Sequence, residues 1–135
     1  MAPDKKLVHE WIKKADGDYE AALYLFKDRK KKTINYIIAF HYQQAIEKYL
    51  KALLIGHKTS FPKIHDLVKL LSLITPRDQF LAGIREDLSA LNPYAIDFRY
   101  PGDDLENDET KSIINITKRL RKILLGRLKE FVRLK

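Results

Sequence analysis

The sequence predicts an all-α protein, and three observations predict it. Apolar residues recur at intervals of three and four through most of the 135 residues, which is the spacing of amphipathic helices and not of strands. Proline, glycine and asparagine fall between the periodic segments, where helices stop. The one long stretch without a helical period, YAIDFRYPGDD at 94–104, is too short and too unpaired to found a sheet.

Five helices follow in order. Leu7, Trp11, Ala15, Tyr19, Ala22 and Phe26 share one face and Asp4 stands at a capping position, so residues 5–28 form the first helix. The turn DRKKKT comes next, and Thr33 or Asn35 can cap a second helix reaching about Leu54, with Gly56 as its left-handed stop. This second helix is apolar on most sides, which marks a central element touching several neighbours. In HKTSFPK, Pro62 disfavours helix at Phe61, and Asp66 then opens a short third helix through Ile74. Thr75 and Pro76 mark a boundary before a fourth helix over 77–91, with Phe80, Ile84, Leu88 and Leu91 on one face and Asn92 and Pro93 at its end. The last helix, about 105–133, carries Ile113, Ile116, Leu120, Ile123, Leu124, Leu128, Phe131 and Val132 at core spacing.

The length fits one domain over residues 1–135, large enough to bury about two-thirds of the surface an unfolded chain exposes. The absence of cysteine excludes disulfides, thiolate zinc sites and a cysteine nucleophile, and suits a reducing compartment, so the cytoplasm is the expected location. The start MAPDKKLVHEW is charged within six residues and reads as neither signal peptide nor anchor. No apolar run reaches the roughly eighteen residues of a membrane-spanning helix, so no membrane partner is expected.

The formal net charge is +8, and it is polarised along the chain. Residues 118–135 hold eight cationic side chains against Glu130 alone, whereas DDLENDE at 103–109 holds five acids and no base. An acidic start and basic end suit the macrodipole of the last helix. The same charge can bind RNA along the exposed Lys118, Arg119, Lys122, Lys129 and Arg133, or dock an acidic protein.

The second helix also contains polar residues inside its apolar run, in FHYQQAIEKYLKALLIGHKTSFPKIHDL at 40–67. His41, Gln44, Lys48 and Lys51 follow one another at spacings of three, four and three and so share a face, with Gln43 and Glu47 on an adjoining one. A solvated edge with a Glu47 to Lys51 ion pair is the plain reading of this stripe.

The motifs also carry a family resemblance. A first helix with W…A…D-Y-x-A, then QQAIEKYLKALL, then IHDLVKLL some fourteen residues on, and FRYPG before a final helix resemble the HEPN domain across essentially the whole chain. The resemblance implies an antiparallel up-and-down four-helix bundle with an additional short helix, dimerising through helix faces. It also implies, for small prokaryotic members, pairing with a minimal nucleotidyltransferase in toxin–antitoxin-like modules. Many such proteins are ribonucleases with an Arg followed four to six residues later by His. This sequence departs from that pattern: upstream of its histidines, His9, His41, His57 and His65, the only arginine is Arg29, twelve positions before His41.

With that motif missing, the remaining candidates are groups that hold a phosphate or a base. Lys48 and Lys51 offer point charges, His65 a proton-bearing ring at the start of the third helix, Arg99 a bidentate fork and Tyr100 a stacking surface. His41, Gln44 and Glu47 are expected to line the same groove or a two-fold interface. No histidine pair stands at i and i+3 or i+4 and no glycine-rich phosphate loop exists, so neither metal nor cofactor is expected. The expected function is that of a non-catalytic, dimeric HEPN subunit that binds nucleotide or RNA and partners a minimal nucleotidyltransferase. The alternative is a metal-independent RNA endonuclease using His41, His65 and Arg99.

Overall fold

The computed structural model describes residues 3–28, 31–96, 102 and 104–134. Five α-helices cover most of them: α1 (Lys5–Asp28), α2 (Asn35–Gly56), α3 (Leu67–Ile74), α4 (Arg85–Leu91) and α5 (Asn107–Leu128). Among the described residues there is no strand. The all-α reading therefore holds: α1, α2 and α5 are the long helices of the bundle, and α3 and α4 are both short, at 8 and 7 residues.

α2 is the axis of the packing. Ile38, Tyr42, Ala45, Ile46, Tyr49, Leu50, Leu53 and Leu54 are all fully buried, as a helix apolar on most sides requires. Each such large side chain removed from water contributes roughly 1.5–3 kcal/mol before ordering costs. α1 covers α2 with Val8, Ile12, Ala15 and Ala22, and α5 covers it with Ile113, Leu120, Leu124 and Leu128. Cross-helix contacts fix the directions. Asp18 meets His41 and Asp16 meets Tyr49, so α1 and α2 are antiparallel. Asn35 reaches Asn107 while Tyr49 meets Arg121, so α2 and α5 run the same way, as the second and fourth members of an up-down-up-down bundle do.

Several local expectations change for identifiable reasons. Neither Thr33 nor Asn35 caps α2, whose first turn has no side-chain cap. Asn35 is instead fully buried, and its Nδ2 donates to the Leu105 carbonyl and to Asn107 Oδ1, both at 2.9 Å, tying α2 to the entry of α5. Gly56 is not the left-handed stop but the last residue of α2; the left-handed residue is Lys58, at φ 56°. α5 begins at Asn107 rather than 105 and ends at Leu128, with residues 129–131 in turns.

α3 opens as expected on Asp66, whose carboxylate accepts the N–H groups of Val68 (3.0 Å) and Lys69 (3.2 Å). Asn92 completes the cap, donating from Nδ2 to Asp66 Oδ1 at 3.0 Å and accepting the Leu67 N–H at 2.8 Å. The Asn92 hydrogen bond, ahead of the backbone ones, holds the Asp66 carboxyl below its ordinary range. Asn92 thus does more than end α4; it locks the start of α3.

The fourth helix is shorter than expected. Gln79–Ile84 forms a 3-10 helix and only Arg85–Leu91 is α-helical. The tighter period, about three residues per turn, places Leu81 and Ile84 inward, continuing into Leu88 and Leu91. Phe80, expected on the core face, is 73% exposed, with the Arg127 guanidinium 5.0 Å from its ring centre. Arg127 also pairs with Asp78 at 2.7 Å, and Arg119 with Asp87 at 3.3 Å, fastening this segment to α5.

Where α2 ends, His57 meets the Phe131 ring edge to face at 4.8 Å, and its Nε2 is buried without a partner. Burial pushes this imidazole below its ordinary 6.5, against the pull of Asp78 and with help from Arg77 and Arg127. The unfolded chain then binds the proton more readily than the folded one. The stability His57 contributes is complete above about pH 6.5 and is lost as pH falls below it toward the folded value. The denaturant midpoint is expected to drop between about pH 7.5 and about pH 5.5, and a His57→Gln variant to drop less. Equal slopes in the two proteins would contradict this.

Candidate functional site

The polar residues of α2 divide between two neighbours instead of forming one ridge. Gln43, Glu47 and Lys51, at successive intervals of four, face the loop before α3 and are all buried. His41 and Lys48 face α1, and both are half-buried, as is Gln44. Lys51 shares a helical face with Lys48, and it forms the ion pair with Glu47 that their spacing of four predicts. Its ammonium lies 3.0 Å from Glu47 Oε2, and 5.7 and 5.9 Å from the ring centres of Trp11 and Phe61.

Glu47 organises the first cluster. Besides Lys51 it accepts from Gln43 Nε2 at 3.4 Å and stands 3.1 Å from His65 Nδ1. Gln43 also donates to the His65 carbonyl at 3.2 Å, and Gln44 donates to Gln43 Oε1 at 2.8 Å. The carboxylate is nearly dry, with 4% of the side chain exposed, while the His65 ring is 69% exposed. A carboxylate at Nδ1 orients an imidazole and favours a proton there, leaving Nε2 as the basic position.

Asp18 organises the second cluster. Its Oδ1 lies 2.9 Å from His41 Nδ1 and its Oδ2 accepts from Lys48. Burial pushes the carboxyl up, but hydrogen bonds from His41 and Lys48 and the Lys48 charge outweigh it and hold Asp18 below the ordinary carboxylate range. Asp18 stands in the D-Y-x-A motif of α1, yet nothing in the helical period announced that it would engage two α2 residues.

A third cluster was not foreseen from the sequence. The Tyr49 hydroxyl donates to Asp16 and accepts from Arg121 Nε at 2.9 Å, and Arg121 reaches Asp16 at 3.2 Å. The Arg121 guanidinium lies 4.4 Å from the Tyr19 ring centre. Burial, then the hydrogen bond to Asp16, pushes the Tyr49 hydroxyl well above its ordinary value, so it remains a proton donor. Three helices, α1, α2 and α5, meet in this triad. The signal was faint: one arginine among several in α5, and two acids in ADGDY.

Of the remaining candidates, Arg99 and Tyr100 lie outside the described residues. Among the described residues no three Asp, Glu or His side chains converge as a metal site requires. No described helix is long and apolar enough to cross a membrane.

An α-helical bundle with an axial α2, a D-Y motif engaged with it, and a short α3 opened by Asp66 defines a class. The HEPN domain model matches residues 8–128, and the chain belongs to the HEPN domain family. The solved crystal structure of an archaeal HEPN homologue is similar over 90% of this chain and 98% of its own, at 25% identity and a TM-score of 0.69. No curated protein matches the chain significantly.

Proposed function

We propose that this HEPN protein binds and regulates rather than cleaves: a cytoplasmic homodimer that holds nucleotide or RNA and serves as partner to a minimal nucleotidyltransferase. The observation that carries this reading is what the α2-side histidines touch. His41 pairs with Asp18 and His65 with Glu47, and among the described residues neither ring contacts an arginine. Cleavage of RNA without a metal wants a phosphate-neutralising cation beside the titrating imidazole. Here the adjoining lysines, Lys48 and Lys51, are already paired with those same carboxylates. The partner and the dimer rest on the family resemblance. Incubation of the purified protein with RNA is expected to leave it intact. Light scattering should give twice the 15.8 kDa chain mass, and co-expression with a minimal nucleotidyltransferase should yield a complex.

One observation favours a second reading, an RNA endonuclease using His41, His65 and Arg99. The Glu47 to His65 pair has the form of an oriented general base, with a dry carboxylate behind an exposed ring. RNA cleavage abolished by His65→Ala would establish this reading and overturn the first.

A further inference from the structure

The charged groups of α5 differ from those of α2 in one respect. Each lysine in the α2 clusters is paired with a carboxylate. Lys118, Lys122 and Lys129 are exposed, and among the described residues their ammonium groups have no hydrogen-bond or ion-pair partner. All three line one cleft of about 390 Å³ between α1 and α5, whose lining also includes Asp16 and Tyr19 of α1 and Arg121 of α5. Four cations thus face a single acid, Asp16, that is itself engaged by Arg121 and Tyr49.

The size and the spacing narrow the ligand. A cleft of this volume lies in the range of ligand sites, about 300–1,000 Å³. From Lys118 to the end of α5 at Leu128, next to Lys129, the helix rises about 15 Å at 1.5 Å per residue, a row longer than one mononucleotide needs. Gly126 stands in this row, and a Cβ built there meets nothing within 4 Å, so the cleft wall is open at that point. We infer that the α1–α5 cleft is a binding site for a chain of phosphates, supplied by a single strand of RNA laid along Lys118, Lys122 and Lys129. This rests on the nucleotide- or RNA-binding reading above and moves the contact away from the α2 residues.

Binding through three lysines releases counterions, so affinity should fall roughly 20-fold between about 50 and about 200 mM salt. The test is fluorescence anisotropy with a short labelled single-stranded RNA, with ATP as competitor, on the full chain. The triple variant Lys118→Gln, Lys122→Gln, Lys129→Gln is expected to bind at least about tenfold more weakly and to lose about two units of the salt slope. Gly126→Trp, which keeps every charge but fills the cleft, should weaken binding as much, with helical circular dichroism retained in both proteins. If wild type binds RNA and neither variant changes affinity or slope, the strand lies elsewhere; the cleft assignment is overturned and the binding reading stands. If ATP binds as tightly as the RNA and displaces it fully, the strand assignment fails in favour of a free nucleotide. If wild type binds neither, the binding reading fails first and the inference with it. If it binds neither, yet the triple variant loses a nucleotidyltransferase complex, the cleft is a protein-docking surface and the inference is overturned.

Discussion

Replacement of Glu47 by alanine is expected to destabilise the bundle by about 3–5 kcal/mol, the usual consequence of removing one member of a buried ion pair. Lys51, with 9% of its side chain exposed, would keep its ammonium between Trp11 and Phe61 with no counter-charge. Gln43 would lose one acceptor and His65 the group that orients its ring. Against a total stability of about 5–15 kcal/mol for a domain of this size, the loss is large. The double variant Glu47→Leu, Lys51→Met should recover most of it, because an apolar pair of similar volume avoids the desolvation cost altogether. Urea unfolding monitored by circular dichroism gives both numbers. A single-variant loss below about 1 kcal/mol would show that the pair is wetter than its burial implies.

Gly56→Ala should also destabilise, by about 1–3 kcal/mol, as overpacking does. The sign is opposite to the ordinary gain of about 1 kcal/mol for this exchange inside a helix. The added Cβ would stand 2.7 Å from Cδ2 and 2.8 Å from Cγ of Phe131. The contact includes the root of the ring, so a rotamer change at its far end does not relieve it. Phe131 would have to leave, and with it the edge-to-face contact on His57. The cost should largely vanish when Gly56→Ala is made in a Phe131→Ala background. An unchanged or raised melting temperature for the single variant would refute the close approach.

Much of the fold was legible because it depends on local period. α1 spans the residues its apolar face predicts, and α2 announces its central place by having no polar side wide enough to face water. Where the period itself changes, the apolar pattern no longer marks the inward face. Phe80 and Leu81 exchange places because a 3-10 turn advances the inward position by one residue, and composition does not signal that tightening. Gly56 looked like a stop because glycine at a helix end usually is one; its reason lies seventy-five positions away in Phe131, beyond any local pattern.

The polar clusters were legible only by half. The wheel placed Glu47 and Lys48 on adjoining faces, but it could not say which part of the chain each would meet. Lys51 turned to Glu47 because four residues on a helix bring the two side chains together. Lys48 turned to Asp18 because α1 happened to present an acid at that height. The triad of Asp16, Tyr49 and Arg121 joins residues more than thirty and more than seventy apart, so only the assembled bundle displays it.

A nearly uniform apolar rod carries little information about which way it should face, since many rotations about its long axis would bury comparable surface. α2 is such a rod, yet Asn35 reaches the entry of α5, Gln43 the loop before α3, and Lys48 and Tyr49 two acids of α1. Like teeth in a keyway, they admit one angular setting and leave donors stranded in the others. The polar atoms of α2 therefore choose the orientation, and the hydrocarbon around them supplies the adhesion.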